Sequence, residues 1–251
     1  QKEAGCEFCG ACVDVCPTGS LHEKVGGWAG LPDSSTETNC TFCGIGCSMT
    51  VNTRGSKIVN VGPAPGKRDD PAQLCMRGKF LPGDLTRHPE RVRRPHIRKR
   101  GKWIEVKWPE AMEYIAARLK QLKGDGFGII GSAHDSVENS YALQKFGRRL
   151  MKSANVDLYP ALGYPAIMRD IHDFSIGSGL AGLEDISRAD RIYVFGADAS
   201  WSHPMVENRI RKAYRAGKEV VVACSSANRT VNFSTDFQRY KRGCEHLFLY
   251  Q

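Results

Sequence analysis

The second half of the sequence predicts an α/β fold, and strand and helix patterns in a fixed order carry that prediction. Residues 191–196 and 219–224 are short apolar runs typical of buried strands. Between them, residues 203–216 show helical spacing that begins at Pro204 and ends before Gly217, a residue type that commonly closes a helix. Strand, helix and strand in succession predict a parallel sheet, of the kind found in Rossmann-like domains.

The preceding stretch continues the same alternation. Apolar residues at helical spacing begin at Pro109 and stop at Gly124, which predicts an amphipathic helix. Residues 127–131 predict a short buried strand, and Asp135 followed by Glu138 predicts a capping box for a helix that runs through Lys152.

Four cysteines form the first candidate metal site. They are Cys40, Cys43, Cys47 and Cys75. The first three, at x2 and x3 spacing, place three thiolates on one glycine-bearing turn, and the fourth can close a tetrahedral cage. Residues 48–61 alternate about Gly55 and predict a β-hairpin that returns the chain. A [4Fe–4S] cluster is favoured over zinc because structural zinc sites usually pair two Cys-x2-4-Cys knuckles. Core thiols are the remaining alternative.

A second cysteine run lies near the N-terminus. Cys6, Cys9, Cys12 and Cys16-Pro17 have the spacing of bacterial ferredoxins, in which the fourth cysteine serves another cluster. Two alternatives stay open: the four thiolates together hold one cluster, or they share two clusters with cysteines outside this run. Residues 18–39 have the composition of a linker, and residues 82–95 are predicted to be extended.

Composition and charge restrict the class of protein. The chain has 251 residues, ten cysteines and a net charge of +9. It has no apolar run of membrane-spanning length, and thiolates at ligand spacing fit a reducing compartment, so we expect a cytoplasmic protein. The positive charge is concentrated in residues 87–102, which favours solvated surface or a subunit contact. A nucleic-acid partner is disfavoured because interleaved aromatic residues are nearly absent there.

The cysteine motifs resemble a known family. Cys40 to Cys47, the hairpin, and Cys75-Met-Arg77-Gly-Lys-Phe80 are similar to the N-terminal iron–sulfur domain of molybdopterin oxidoreductases, notably formate dehydrogenase large (alpha) subunits and the large iron–sulfur subunit of NADH dehydrogenases. The resemblance implies that Arg77 lies between cluster and pterin. Motifs of the α/β half, such as His203-Pro204 and Arg239-Tyr-Lys-Arg-Gly243, occur in the order of that family, so the resemblance covers nearly the whole chain.

Three segments depart from the family pattern. Residues 159–165 carry neither the cysteine nor the histidine that the resemblance would place at molybdenum or tungsten. Residues 196–198 and 224–226 differ from the motifs that meet molybdopterin guanine dinucleotide, which predicts an eroded pterin site with no catalytic residues.

Cys224 and Cys244 are predicted to be structural thiols. His203 is predicted to be a cap or a surface residue. Satisfied or exposed side chains are predicted for His134, His172 and His246.

The sequence therefore predicts three segments. Residues 1–35 form a ferredoxin-like [4Fe–4S] segment with a linker, residues 36–100 a molybdopterin-oxidoreductase-type [4Fe–4S] domain, and residues 101–251 an α/β domain. The favoured function is an electron-transfer subunit, or a fragment of one, in a multisubunit oxidoreductase with flavin/NAD-binding and ferredoxin-like partner subunits. The alternatives are the N-terminal part of a catalytic formate dehydrogenase subunit and a metal-stabilised nucleic-acid-binding module.

Overall fold

The computed structural model describes residues 6–24, 26–64, 73–122, 124–159 and 181–250. The chain divides into two compact units, each assembled from separate stretches of sequence. Unit 1 comprises Gln1–Leu21, Pro63–Met76 and Met168–Gln251. Unit 2 comprises His22–Gly62 and Arg77–Ile167. Each unit thus combines stretches that are distant in sequence, and the three predicted segments stay predictions.

The described residues form a mixed α/β architecture. The strands are β1 (Ser34–Asn39), β2 (Ser48–Arg54), β3 (Lys57–Pro63), β4 (His96–Lys99), β5 (Lys102–Glu105), β6 (Ile129–Ser132), β7 (Val156–Tyr159), β8 (Arg191–Phe195), β9 (Glu219–Cys224) and β10 (Asp236–Arg239). The helices are α1 (Ala11–Asp14), α2 (Met76–Thr86), α3 (Trp108–Leu119), α4 (Val137–Lys145), α5 (Leu183–Arg188), α6 (Ala199–Ser202), α7 (Pro204–Arg215) and α8 (Glu245–Leu249). Short 3-10 helices cover Gly26–Trp28, Gly124–Gly126 and Arg229–Phe233.

Unit 1 is organised around a parallel sheet of strand order β10-β9-β8. The central strand β9 is the apolar run that the sequence predicts, and Val220 and Val222 in it are fully buried. They pack with Val194 of β8 and Ile210 of α7 in one hydrophobic cluster. Gly217 takes a positive φ of 79° where the chain leaves α7, as a helix-ending glycine does. The predicted strand, helix and parallel strand are therefore confirmed.

Unit 2 contains a three-stranded antiparallel sheet of order β1-β2-β3. The predicted hairpin is present as β2 and β3, with Gly55 at φ 56° in the turn between them. The linker prediction is wrong at residues 34–39, which form β1 and pair with β2 from Ser34↔Thr53 to Asn39↔Ser48. Every residue of β1 is exposed and none is apolar, so the strand is supported by its backbone pairing with β2 and by a side-chain hydrogen bond from Ser48 to Asn39.

Two further predictions for unit 2 need correction. Residues 82–86 are helical rather than extended, because α2 continues to Thr86 with Pro82 inside it. The N-cap of α4 is Ser136, whose hydroxyl accepts from the amide of Asn139 at 3.2 Å, so Asp135 is not the capping residue. The α-helix ends at Lys145 and continues as a π-helical turn over Phe146–Leu150.

The basic segment of unit 2 is a second hairpin that sequence periodicity does not show. Strands β4 and β5 pair antiparallel, and Arg100 and Gly101 turn the chain with φ of 48° and 81°. Ile97 is buried, while Trp103 is two-thirds exposed. Within the described residues, no helix is long and apolar enough to cross a membrane.

Candidate metal centres

The N-terminal cysteine run is shaped by two left-handed backbone positions that flank Cys9. Phe8 has φ 54° and Gly10 has φ 77°, directly before α1, which carries Cys12. Gly10 adopts this conformation without the steric cost of a Cβ atom. The chain therefore reverses tightly on both sides of Cys9.

The thiols in this run already have hydrogen-bond donors. The Cys16 sulfur lies 3.4 Å from the Ser20 hydroxyl and 3.5 Å from the Thr18 hydroxyl, and it accepts from the Leu21 amide at 3.5 Å. These contacts, the Ser20 hydroxyl first, lower the pKa of Cys16 to about 6. The Cys6 sulfur accepts from the Phe8 amide at 3.4 Å. Donors directed at sulfur stabilise the thiolate form that iron requires, which is the environment expected of cluster ligands.

Cys9 receives its donor from a distant part of unit 1. The side-chain nitrogen of Gln73 lies 3.8 Å from the Cys9 sulfur. The side-chain carbonyl of Gln73 accepts from the side-chain amide of Asn208 at 2.5 Å. Gln73 is two residues before Cys75, and Asn208 lies on α7. Long-range side chains thus support the ferredoxin-like segment in addition to its own backbone.

An ion pair joins the same segment to α7. Glu7 Oε1 lies 2.8 Å from a guanidinium nitrogen of Arg211 and 3.9 Å from Arg229 Nε. The Arg211 guanidinium also lies over the Phe233 ring at 4.4 Å. Because the Glu7 and Arg211 side chains are both less than a quarter exposed, solvent screens this pair less than a surface pair.

The second cysteine set begins in the loop between β1 and β2. The Cys40 amide donates to the Cys47 carbonyl at 2.8 Å, which continues the strand ladder into the loop. The Gly46 amide donates to the Cys43 carbonyl at 3.4 Å, with Gly46 at φ 63°. Cys40 is buried. Three of the four predicted ligands therefore lie in one short loop of unit 2.

Cys75 belongs to unit 1, directly before α2. In the part of the chain that the structure describes, no group of three or more His, Cys, Asp or Glu side chains is arranged to hold a metal ion. Both four-cysteine ligand sets therefore stay predictions.

The basic motif after Cys75 contains a buried lysine that sequence reasoning did not single out. Arg77 is partly buried at the start of α2, and Lys79 is only 4% exposed. A lysine is rarely buried without a functional or structural partner. The position of Lys79 in the Cys-x-Arg-Gly-Lys-Phe motif is the sequence feature that could have indicated a role for it. The position of Arg77 between a cluster and a pterin stays a prediction.

The carboxyl ends of β8 and β9 carry the two segments that the resemblance places at the pterin dinucleotide. Asp198 caps α6 by accepting from the Trp201 amide at 3.3 Å, and it accepts from the Ser200 hydroxyl at 2.6 Å. The buried Cys224 thiol donates to the Ser226 carbonyl at 2.9 Å, and burial raises its pKa. At this edge Asp198 presents a carboxylate and Cys224 a protonated thiol, while the Asn228 side-chain amide and the Arg239 guanidinium donate to the Ala197 and Ser225 carbonyls. The eroded pterin site stays a prediction. Cys224 has the surroundings predicted for a structural thiol.

Glu207 is a further residue that the sequence did not indicate. It is fully buried in α7, and one carboxylate oxygen accepts from the Thr230 hydroxyl at 2.8 Å. The other oxygen has no hydrogen-bond partner among the described residues. Burial is the main cause that raises the pKa of this carboxyl. A glutamate in the first turn of a helix is usually an exposed residue that favours the helix dipole, so its burial was not predictable.

The histidines differ in their surroundings. The Nδ1 atom of His134 lies 3.2 Å from the Thr41 carbonyl oxygen, so His134 contacts the cysteine loop of unit 2. His203 is the exposed N-cap residue of α7 and makes no side-chain capping bond. His246 is exposed on α8, and His172 lies outside the described residues.

Three family profiles match the chain. They are "Molybdopterin oxidoreductase" over residues 91–247, "Molybdopterin oxidoreductase Fe4S4 domain" over residues 33–85, and "4Fe-4S binding domain" over residues 3–22. The two cluster profiles enclose all eight cysteines at ligand spacing.

Individual proteins agree with the profiles. The putative formate dehydrogenase YrhE of Bacillus subtilis is 31% identical over 85% of this chain and 22% of its own length. The F420-dependent formate dehydrogenase 2 subunit alpha of Methanococcus maripaludis is 29% identical over 73% of the chain and 27% of its own length. Acetylene hydratase from Pelobacter acetylenicus shares the fold, with a TM-score of 0.56 at 17% identity over 80% of this chain and 29% of that one. The chain spans less than a third of the length of these relatives.

Proposed function

We propose, on the premise that this chain belongs to the molybdopterin oxidoreductase family, that it is an iron–sulfur electron-transfer component of a multisubunit, formate-dehydrogenase-like oxidoreductase of the cytoplasm. The observation that carries the proposal is the set of donors aimed at the sulfurs of Cys6, Cys9 and Cys16, inside a segment that matches a 4Fe-4S binding domain. Such donors stabilise bound thiolates, and here they recur at three of the four cysteines of one motif.

The proposed ligands form two sets. They are Cys6, Cys9, Cys12 and Cys16 in the first set, and Cys40, Cys43, Cys47 and Cys75 in the second. When bound, [4Fe–4S] clusters accept and release single electrons. The residues of this chain hold the clusters and set their surroundings. Burial at Cys40 limits water at that thiolate, and the Ser20 and Thr18 hydroxyls stabilise negative charge on Cys16.

The proposed partners are flavin/NAD-binding and ferredoxin-like subunits. One matched relative is named as a subunit alpha, which supports a role within a complex. The basic hairpin of β4 and β5 offers exposed charge, with the Arg98 guanidinium 5.9 Å from the centre of the exposed Trp103 ring. A positive surface with an aromatic residue suits an acidic protein partner.

We further propose that the chain does not itself oxidise formate. Residues 159–165 lack a cysteine or histidine for molybdenum, and Asp198 places negative charge at the edge where a pterin dinucleotide would bind. The second candidate function, the N-terminal part of a catalytic formate dehydrogenase subunit, is favoured by the profile match over residues 91–247 and by the formate dehydrogenase relatives.

Metal analysis combined with EPR spectroscopy of the full chain tests the proposal. We expect at least two [4Fe–4S] clusters, and we expect Cys43→Ser and Cys9→Ser each to remove iron and one EPR signal. Cys244→Ser, a cysteine outside both motifs, is the matched control and should keep full iron content. Stoichiometric zinc without iron would refute the electron-transfer role. About one molybdenum or tungsten per chain, with a pterin product after oxidation, would instead support the catalytic candidate.

A further inference from the structure

Gln73 contacts one cysteine motif with its side chain and lies in the other by sequence. Its side-chain nitrogen is 3.8 Å from the sulfur of Cys9, 64 residues earlier in the chain. Its backbone leads through Leu74, which is only 2% exposed, to Cys75. One hydrogen bond and the backbone of residues 73–75 thus connect a proposed ligand of the first set with a proposed ligand of the second, both within unit 1.

The orientation of the Gln73 amide is determined by a second side chain. Asn208 Nδ2 lies 2.5 Å from Gln73 Oε1, so the carbonyl side of the Gln73 amide is occupied as an acceptor. Its NH2 group therefore faces the Cys9 sulfur as a donor. Asn208 lies three residues before Arg211 on α7, and Arg211 pairs with Glu7 two residues before Cys9. The same helix thus orients Gln73 and holds the segment that presents Cys9.

We propose that Gln73 is a positioning residue that raises the reduction potential of the cluster bound through Cys9. This inference rests on the proposed electron-transfer function. A donor at a ligating sulfur offsets negative charge on the cluster, and that charge grows by one when the cluster accepts an electron. The hydrogen bond therefore favours the reduced state.

Redox titration followed by EPR tests this role on the full chain with its clusters in place. The signal that disappears in Cys9→Ser identifies the cluster concerned. In Gln73→Leu we expect the reduced-to-oxidised ratio of that cluster to fall about tenfold at a fixed potential, which is ~59 mV for a one-electron couple. Gln73→Glu, which places a carboxylate beside the sulfur, should lower the ratio further. Gln144→Leu, an exposed glutamine on α4, is the matched control and should leave the potential unchanged.

The outcomes separate this inference from the proposed function. Absence of clusters in the unaltered chain refutes the electron-transfer function. Two bound clusters with an unchanged potential in Gln73→Leu overturn only the role of Gln73, as does an equal shift in Gln144→Leu. If Gln73→Leu loses its iron, the potential of Asn208→Leu tests the inference instead, because this variant keeps Gln73 but removes the hydrogen bond that orients its amide. A lowered potential in Asn208→Leu supports the inference, and an unchanged potential overturns it.

Discussion

The two cysteine regions of this chain are held in place by different interactions. In the ferredoxin-like segment, residues 6–21, the only regular element is the four-residue helix α1, and none of its residues is buried. The loop from Cys40 to Cys47 instead connects two paired strands, and the Cys40 amide donates to the Cys47 carbonyl. In the strands β2 and β3 that follow this loop, Met49, Val59 and Val61 are buried.

The difference shows two ways in which a protein can present thiolates. The hairpin loop takes its conformation from a strand ladder and a small apolar core, both of which are made of contacts between protein groups. The ferredoxin-like segment depends on side chains of α7 and Gln73, and on the cluster itself, because metal binding supplies folding free energy where a core is lacking.

Removal of iron should affect the two regions very unequally. We expect a chelator to abolish amide hydrogen-exchange protection across residues 6–21, while β2 and β3 keep most of theirs, since their ladder and buried side chains do not require metal. Exchange measured by mass spectrometry on peptides from the two regions would show this. Equal loss of protection in both regions would refute the contrast.

Replacing Arg211 should weaken the ferredoxin-like segment alone. Arg211→Leu leaves Glu7 partly buried without its closest cation, so local opening of residues 6–21 should become about 1–2 kcal/mol easier, roughly a tenfold faster amide exchange. Arg211→Lys retains the charge and should show a smaller effect. A matching acceleration in the Cys40–Cys47 loop, which lies in unit 2, would argue against a local anchor.

Glu207→Gln should stabilise unit 1 at neutral pH. Burial raises the pKa of Glu207 above its usual value of 4.5, so the folded chain holds this proton to higher pH than the unfolded chain, and stability falls as pH rises through that window. The amide keeps an acceptor for Thr230 and removes the buried charge. We expect a gain of about 1 kcal/mol, ~2–4 °C in the unfolding midpoint, at pH 7. The gain should vanish below about pH 4, where both states bind the proton. A gain that persists there would point to another cause.

The smallest effect is expected at His134. His134→Ala removes one exposed hydrogen bond to the Thr41 carbonyl, which should cost about 0.5–1 kcal/mol of local stability and speed exchange in the loop a few-fold. His246→Ala, an exposed histidine of unit 1, is the control. If both variants behave like the unaltered chain, His134 does not brace the cysteine loop.

Much of the fold was predictable because its signals are local. The apolar run of β9 and the Pro204 and Gly217 limits of α7 lie within a few residues of the structure they specify, and the structure confirms them. Strand β1 was not predicted because its side chains are all exposed and its pairing depends on β2. The N-cap of α4 was misplaced by one residue, since Asp135 and Ser136 are both suitable caps and only the backbone conformation selects between them.

Ligand spacing is a property of consecutive residues, so the sequence alone predicts the metal-binding cysteines and the family resemblance. Which side chains surround those cysteines depends on tertiary contacts. The Gln73–Cys9 contact spans 64 residues and the Asn208–Gln73 contact spans 135. The burial of Glu207 likewise depends on the packing of α7 in unit 1. Contacts between residues so far apart in sequence form only when the sheet and α7 fold together, so no local pattern encodes them.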